Sequence, residues 1–234
     1  MNIKVEKQII VGAGCEGTNE TINLCNSLYG IGADAALIYT PHFFRNQMTD
    51  NALINHYKRV ADHSKLPIIL YNVPSNTGVE LSFEVASKLS SHSNIIGIKD
   101  SGGNIKKLGD IVEATKKNNF QVLAGSAGFL ADAMEIGCVG GICALANVLP
   151  EKTIEIFDLM RNGRVVEAKV LQGQLCGPNT AVTRKHGVPG LKHMLDYLGY
   201  YGGPVRGPLL PLGSKEKEEI EKEFASFHSK IMLA

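Results

Sequence analysis

Short apolar runs alternate with amphipathic segments along the first 160 residues of the chain. The runs carry hydrophobic side chains on both faces, which is typical of buried parallel strands. In the segments between them, apolar residues recur at helical spacing, as at Leu53, Tyr57 and Val60. The pattern predicts strands over residues 8–11, 35–40, 67–72, 95–99, 121–124 and 141–146. It predicts the helix that follows each strand over residues 19–29, 50–62, 83–89, 105–115, 130–136 and 152–160.

Six βα units in unbroken succession predict an α/β fold, either a (β/α)8 barrel or a doubly wound open sheet. After Met160 the pattern changes, and the later segments predict helices without further strands, over residues 165–175, 191–198 and 214–227. No low-complexity linker separates the two parts. We therefore expect residues 1–160 to hold the six βα units and residues 161–234 to form a C-terminal helical extension of the same domain.

The composition argues against some classes of protein. Hydrophobic residues make up 44% of the 234, enough for a sizeable core, and 24 basic against 23 acidic residues give a net charge of +1. With no excess of basic residues to neutralise phosphates, we expect no nucleic-acid partner. No run approaches the ~18 apolar residues of a membrane span, so no membrane partner is expected. The charged start of the chain indicates neither a signal peptide nor a transit peptide.

Cysteine and histidine spacing indicates no metal centre. The five cysteines contain no C-x-x-C pair, and their odd number favours reduced thiols over disulfides or zinc ligands. The seven histidines show no metal-ligand spacing. We therefore predict that the protein holds no metal.

One lysine stands at the end of an apolar run. Lys99 closes the predicted strand 95–99, where burial would favour the neutral amine, because an unpaired buried ammonium is costly. A neutral lysine amine is a nucleophile that forms Schiff bases with carbonyl compounds. Tyr71 lies near the end of the preceding predicted strand, 28 residues earlier. Side by side at the strand ends, the two residues would be a nucleophile and a proton shuttle.

A glycine motif offers a competing interpretation. Residues 12–17 fit G-x-G-x-x-G between a strand and a helix, as in dinucleotide-binding proteins. That site needs an acidic residue at the end of the next strand to hold the ribose. The next strand ends in Pro41-His42-Phe43, and Asp34 lies at its start. We interpret the motif as a tight βα turn and rank a nicotinamide-dependent oxidoreductase low.

Two motifs carry a resemblance to a known family. The segments YNVPSNTG at residues 71–78 and IGIKDS at residues 96–101 resemble the dihydrodipicolinate synthase and N-acetylneuraminate lyase superfamily. The segments QVLAGSAGFL at residues 121–130 and GYYGGP at residues 199–204 are similar to the animal, mitochondrial 4-hydroxy-2-oxoglutarate aldolases within it. The resemblance implies a (β/α)8 TIM barrel with extra C-terminal helices, here lacking its first two βα units.

The resemblance also implies a chemistry, that of a class I aldolase that cleaves 4-hydroxy-2-oxoglutarate to pyruvate and glyoxylate. Lys99 would form an imine with the 2-oxo acid, and Tyr71 would move protons. No metal or organic cofactor would be needed, and the subunits would form a homotetramer. The residues expected to contact the substrate are Ser101, Gly125, Ile142, Asn76 and Phe43.

Three differences within the superfamily matter. The synthase resemblance would predict arginine at Asn76, whereas asparagine agrees with the hydroxy-oxoglutarate aldolases. Phe43 stands where the family has a tyrosine that extends the proton relay, and it lacks the hydroxyl. The first two strands and their glycine-rich carboxylate-binding loop are absent from these 234 residues. We therefore expect low stability and weak or no activity of this chain alone.

Two alternatives stay open at this point. The chain could be a catalytically impaired fragment or a regulatory partner of full-length subunits, or it could be another 2-oxo acid lyase or synthase resembling dihydrodipicolinate synthase. The resemblance implies a mitochondrial location, but no targeting segment occurs in the sequence, so a cytoplasmic location is the other expectation.

Overall fold

The structure, a computed structural model, describes residues 7–231 and the side chains of residues 7–227. Its strands are β1 Ile10–Gly12, β2 Ala35–Tyr39, β3 Ile68–Asn72, β4 Ile95–Asp100, β5 Gln121–Ala124 and β6 Gly140–Gly141. Its helices are α1 Thr18–Gly30, α2 Asp50–His63, α3 Pro74–Thr77, α4 Phe83–Leu89, α5 Ile105–Thr115, α6 Leu130–Glu135, α7 Pro150–Arg161, α8 Val165–Thr180, α9 Gly187–Tyr197 and α10 Ser214–Ile231.

The described residues fall into two compact units. One unit comprises the residues up to Leu123 together with Ile136–Val139, and the other comprises Ala124–Glu135 and the residues from Gly140 onward. The first has a core of fully buried side chains from strands and helices, among them Ile38, Tyr57 and Leu108. The second is built mainly from helices, with Ile156 and Leu175 fully buried. The division of one domain at residue 160 stays a prediction.

The strands follow one another in sequence order in the sheet, β1-β2-β3-β4-β5-β6. The first four pair in parallel, with Ala35 opposite Ile10, Tyr71 opposite Tyr39 and Lys99 opposite Tyr71. Parallel pairing requires a crossover between consecutive strands, and here each crossover carries a helix. The predicted α/β class with six βα units and C-terminal helices is confirmed.

Side-chain caps begin the helices that follow three of the strands. The hydroxyl of Thr49 accepts a hydrogen bond from the Ala52 N–H at the start of α2, and Ser82 does the same for Val85 at the start of α4. The side chain of Asn104 accepts from the Lys107 N–H and begins α5. Such caps satisfy N–H groups that have no partner within the helix and so set where each helix begins.

Some predicted boundaries were wrong. The strand predicted over residues 141–146 is only the two-residue β6, and residues 144–147 form a 3-10 turn. Helix α8 continues to Thr180, past the predicted end at residue 175, and runs directly into a π-helical turn at Ala181–Lys185. Helix α9 begins at Gly187, four residues before its predicted start. Within the described residues, every helix is too short or too polar to span a lipid bilayer.

A glycine allows β4 and β5 to approach each other. A Cβ atom added to Gly97 would lie 2.5 Å from the Gln121 carbonyl oxygen, far inside the usual contact distance. The obstacle is backbone, which cannot rotate away as a side chain can. The two strands would therefore have to separate to admit any other residue at this position.

We predict that Gly97→Ala destabilises the protein by about 1–3 kcal/mol, the usual cost of forcing an extra methyl into a packed core. Chemical denaturation of the purified protein measures this change in the free energy of unfolding. Gly173→Ala is the matched control: apart from its chain neighbours and the backbone of its own helix, nothing lies within 4 Å of the added Cβ, and helix α8 favours alanine there. Equal stabilities of the two variants would contradict the prediction.

Candidate active site

Lys99 and Tyr71 are neighbours near the carboxyl ends of β4 and β3. They are register partners, and Nζ of Lys99 lies over the tyrosine ring, 4.2 Å from its centroid. Lys99 is half-buried, whereas Ile98 and Asp100 on either side of it are buried. An ammonium over an aromatic face is electrostatically favourable, so the ring holds the amine at the strand end. The pairing expected of these two residues is present.

Tyr39 extends this row by one strand, a residue that sequence reasoning did not single out. It lies opposite Tyr71 in the pairing of β2 with β3, so Tyr39, Tyr71 and Lys99 stand side by side on three neighbouring strands. Burial raises the pKa of Tyr39, and nearby Cys15 and Glu16 raise it further, which keeps the phenol protonated. Its position near the end of the strand predicted over residues 35–40 is the feature of the sequence that could have indicated it.

The glycine motif has a packing role in this row. A Cβ atom on Gly14 would lie 2.6 Å from Cδ1 of Tyr39, so only glycine lets the β1 loop pass across that ring. The N–H of Cys15, the next residue, is held by the hydroxyl of Thr21 at 3.2 Å. These contacts agree with the interpretation of residues 12–17 as a tight turn.

Ser101 follows directly on β4, and Asn76 lies in the short helix that follows β3. The N–H of Ser101 donates to the Asn72 carbonyl oxygen at 2.8 Å and continues the pairing of β3 with β4. Asn76 is exposed in α3, the single turn after β3, and its Oδ1 accepts from the Ser75 hydroxyl at 3.0 Å. Both residues therefore lie at the same edge of the sheet as Lys99.

Phe43 lies in the loop that follows β2, with 77% of the residue exposed and its ring in edge contact with Phe44. The carboxylate of Glu16 shapes this loop, because one oxygen accepts from the N–H groups of His42 and Phe43 at 3.0 and 2.9 Å. Its other oxygen pairs with Nδ1 of His42 at 2.9 Å. Burial raises the pKa of Glu16, but these bonds outweigh burial and hold the pKa below its ordinary value.

In the second unit, Gly125 and Ile142 follow directly on β5 and β6. The N–H of Ile142 donates to the Ala124 carbonyl oxygen at 2.9 Å, which brings Ile142 beside the residue before Gly125. Ser126, next in the chain, is hydrogen-bonded to the amide of Asn179 in α8, with Nδ2 of Asn179 3.0 Å from its Oγ. The two predicted substrate contacts of this unit are therefore neighbours.

The described part of the chain contains no group of three or more His, Cys, Asp or Glu side chains arranged to hold a metal ion. Its five cysteines form no disulfide within the described residues. Burial, and to a lesser extent Asp100, raises the pKa of the Cys138 thiol to about 12. That thiol is therefore protonated at neutral pH.

Comparison with known proteins identifies the family. The model of the Dihydrodipicolinate synthetase family matches residues 2–226. The 4-hydroxy-tetrahydrodipicolinate synthase of Methanothrix thermoacetophila is 34% identical over 212 residues, which are 91% of this chain and 71% of that protein. The probable mitochondrial 4-hydroxy-2-oxoglutarate aldolase of Emericella nidulans is 34% identical over 218 residues, which are 93% of this chain and 70% of that protein. The chain belongs to the dihydrodipicolinate synthetase family.

Solved structures agree with this assignment. The chloride-inhibited dihydrodipicolinate synthase from Acinetobacter baumannii, crystallised with pyruvate, superposes with a TM-score of 0.87 at 31% sequence identity. The match covers 94% of this chain and 75% of that one. The likeness confirms the predicted (β/α) barrel class, and family membership confirms an enzyme of the Schiff-base-forming lyase class.

One histidine in the first unit makes stability depend on pH. His56 is 6% exposed, and its Nδ1 lies 3.0 Å from the Thr18 hydroxyl. Its Nε2 is buried and has no hydrogen-bond partner among the described atoms. Burial lowers the pKa of His56 from 6.5 to about 4, with Glu16 opposing and Arg59 reinforcing the shift. The imidazole is therefore neutral in the folded protein near pH 6.

We predict that the free energy of unfolding falls by about 2 kcal/mol between pH 7 and pH 5 on account of His56. In that range the unfolded histidine takes up a proton that the folded one does not, so acid favours the unfolded state. Chemical denaturation at both pH values measures the change. His56→Asn should remove most of this pH dependence, and His63→Gln, at an exposed histidine, should leave it intact. An unchanged pH dependence in His56→Asn would contradict the assignment.

Proposed function

We propose that this protein is a class I aldolase that cleaves 4-hydroxy-2-oxoglutarate to pyruvate and glyoxylate, with Lys99 as the nucleophile and Tyr71 as the proton-transfer group. The observation that carries the proposal is the register pairing of Lys99 with Tyr71, with Nζ held 4.2 Å from the ring centroid. Membership in the family and the similarity to the Emericella nidulans protein agree with it.

The proposed reaction begins when the Lys99 ammonium loses a proton and the resulting amine attacks C2 of the 2-oxo acid. The carbonyl oxygen leaves as water after protonation, and a protonated imine remains. Loss of the proton from the C4 hydroxyl lets the C3–C4 bond break, and its electron pair moves into the imine to form an enamine. Glyoxylate departs, a proton adds to C3, and hydrolysis releases pyruvate and restores the amine.

Tyr71 is assigned the proton steps because it is the register partner of Lys99 on β3 and its ring is in contact with the amine. A phenol can donate and accept a proton in turn, which imine formation and bond cleavage both require. Ser101, directly after β4, and Asn76, in α3, are the proposed substrate contacts near this pair. Gly125 and Ile142 stay substrate contacts predicted from the resemblance.

Asn76 favours the aldolase over a synthase. The synthase resemblance would predict an arginine here, to pair with the carboxylate of the aldehyde substrate. Asn76 is exposed, and its amide can hydrogen-bond a hydroxyl or a carboxylate without bringing a charge. A homotetrameric assembly and a mitochondrial location stay predictions from the resemblance.

Borohydride trapping tests the Schiff base directly. We expect pyruvate and borohydride to add mass to the peptide that contains Lys99, because reduction converts the imine into a stable secondary amine. Lys99→Arg should give no adduct, and Tyr71→Phe should slow its formation about 10²–10⁴-fold. Tyr29→Phe, at an exposed tyrosine, is the control and should behave as wild type.

The outcomes separate the candidate functions. An adduct on Lys99 together with glyoxylate release from 4-hydroxy-2-oxoglutarate supports the aldolase. An adduct with formation of 4-hydroxy-tetrahydrodipicolinate instead would indicate the synthase. A folded wild-type chain without any adduct on Lys99 would contradict an active enzyme and leave the regulatory partner.

The Phe43 position generates a second prediction. If the missing hydroxyl limits proton transfer, Phe43→Tyr should raise kcat for the cleavage of 4-hydroxy-2-oxoglutarate about tenfold or more. Phe44→Tyr is the matched control, because its ring packs against Phe43 in the same loop. Equal rates for wild type and Phe43→Tyr would show that the hydroxyl at this position is dispensable.

A further inference from the structure

Two buried polar side chains lie directly behind the proposed catalytic pair. Asn72 follows Tyr71 and Asp100 follows Lys99, and both are 0% exposed. Like the residues before them, they are register partners, and Nδ2 of Asn72 donates to Oδ2 of Asp100 at 2.7 Å. Successive side chains of a strand point to opposite faces, so this pair occupies the face opposite Tyr71 and Lys99.

A lysine from the next helix completes this buried group. Lys107 stands in the first turn of α5, and its Nζ lies 2.7 Å from Oδ2 of Asp100. Only 11% of its side chain is exposed, and its ammonium also contacts the carboxylate of Glu80. We call Asn72, Asp100 and Lys107 the rear clamp.

The remaining polar atoms of the rear clamp are also satisfied. Oδ1 of Asp100 accepts the N–H of Gly102 at 2.7 Å, in the turn that follows Lys99. Oδ1 of Asn72 accepts the N–H of Leu81 at 2.9 Å. A buried carboxylate is tolerated when it is paired and fully hydrogen-bonded, and Asp100 meets both conditions. The clamp therefore has one well-defined arrangement.

We propose that Lys107 is a positioning residue for Lys99 and Tyr71, acting through Asp100 and Asn72. Fixing Asp100 and Asn72 fixes the backbone of the adjacent residues in β4 and β3, and with it the directions in which the Lys99 and Tyr71 side chains leave the sheet. This inference rests on the proposed function, since the geometry it protects is that of imine formation. Misplacement of a reacting group by about 1 Å can cost a hundredfold in rate.

The test compares Lys107→Met with Lys107→Arg, and with Lys106→Met as the matched control. Methionine keeps the apolar stem and removes the charge, arginine keeps the charge, and Lys106 is exposed and pairs with Asp110 instead. Each variant is incubated with pyruvate over a range of concentrations and reduced with borohydride. The rate and the final amount of the Lys99 adduct are measured at a temperature where circular dichroism shows folded protein.

We expect Lys107→Met to slow adduct formation at saturating pyruvate about tenfold or more, with the same final amount of adduct. Lys107→Arg should recover most of the rate, and Lys106→Met should match wild type. If Lys107 had a purely structural role, Lys107→Met would lower the final amount of adduct by the fraction of unfolded protein. The rate of adduct formation in the folded molecules would not change. A folded Lys107→Met that reacts at the wild-type rate, or a Lys107→Arg as slow as Lys107→Met, would overturn the proposal.

A second variant and a second reagent keep the result decisive. Asn72→Leu cuts the bond to Asp100 but leaves Asp100 paired with Lys107, so it replaces Lys107→Met if that variant does not fold. Asn72→Leu should also slow formation of the Lys99 adduct, and a wild-type rate would refute the clamp.

Labelling of Lys99 by trinitrobenzenesulfonate needs no substrate. If the wild-type chain forms no pyruvate adduct, the proposed function is contradicted and the rear clamp is tested by labelling alone. An unchanged labelling rate of Lys99 in Lys107→Met would then overturn the rear clamp.

Discussion

The parallel pairing of β3 with β4 is the constraint on which the candidate site depends. It sets Tyr71 opposite Lys99 and, one residue later, Asn72 opposite Asp100. Because strand side chains alternate between faces, one register places the proposed catalytic pair on one face and the buried polar pair on the other. The chemistry and its support therefore come from consecutive positions of the same two strands, and neither can shift without the other.

The same pairing explains why polar groups are tolerated deep in this part of the fold. Asp100 would be costly in an apolar interior, but it accepts bonds from an amide, a backbone N–H and an ammonium. The ammonium reaches it because Asn104 begins helix α5 at a fixed residue and so places Lys107 over the strand ends. Helix capping, a local effect, therefore sets the position of the Lys107 ammonium that pairs with the buried carboxylate of Asp100.

Several features were predictable from the residues and others were not. The apolar runs predicted all six strands, and the motifs around Tyr71 and Lys99 predicted that these residues would meet. The row of Tyr39 beside Tyr71 was missed, because runs that are apolar on both faces do not show which residues of neighbouring strands lie opposite each other. Strand β6 was predicted too long, since the apolar run after Gly141 turns into a 3-10 segment that an apolar pattern does not distinguish from a strand. The partnership of Lys107 with Asp100 depends on a crossover geometry that spacing along the chain does not show.

The alternation of faces in β4 also bears on how such a chain can change in evolution. Loops and helix surfaces between the strands can gain or lose residues, because the ends of each strand are fixed by pairing and not by loop length. An insertion or deletion of a single residue inside β4 is different. It would turn Lys99 toward the face that Asp100 now occupies and Asp100 toward the opposite face, so the proposed nucleophile and its support would exchange places. Lineages carrying this strand are therefore expected to vary in the lengths of their connections while the number of residues within the strand stays constant.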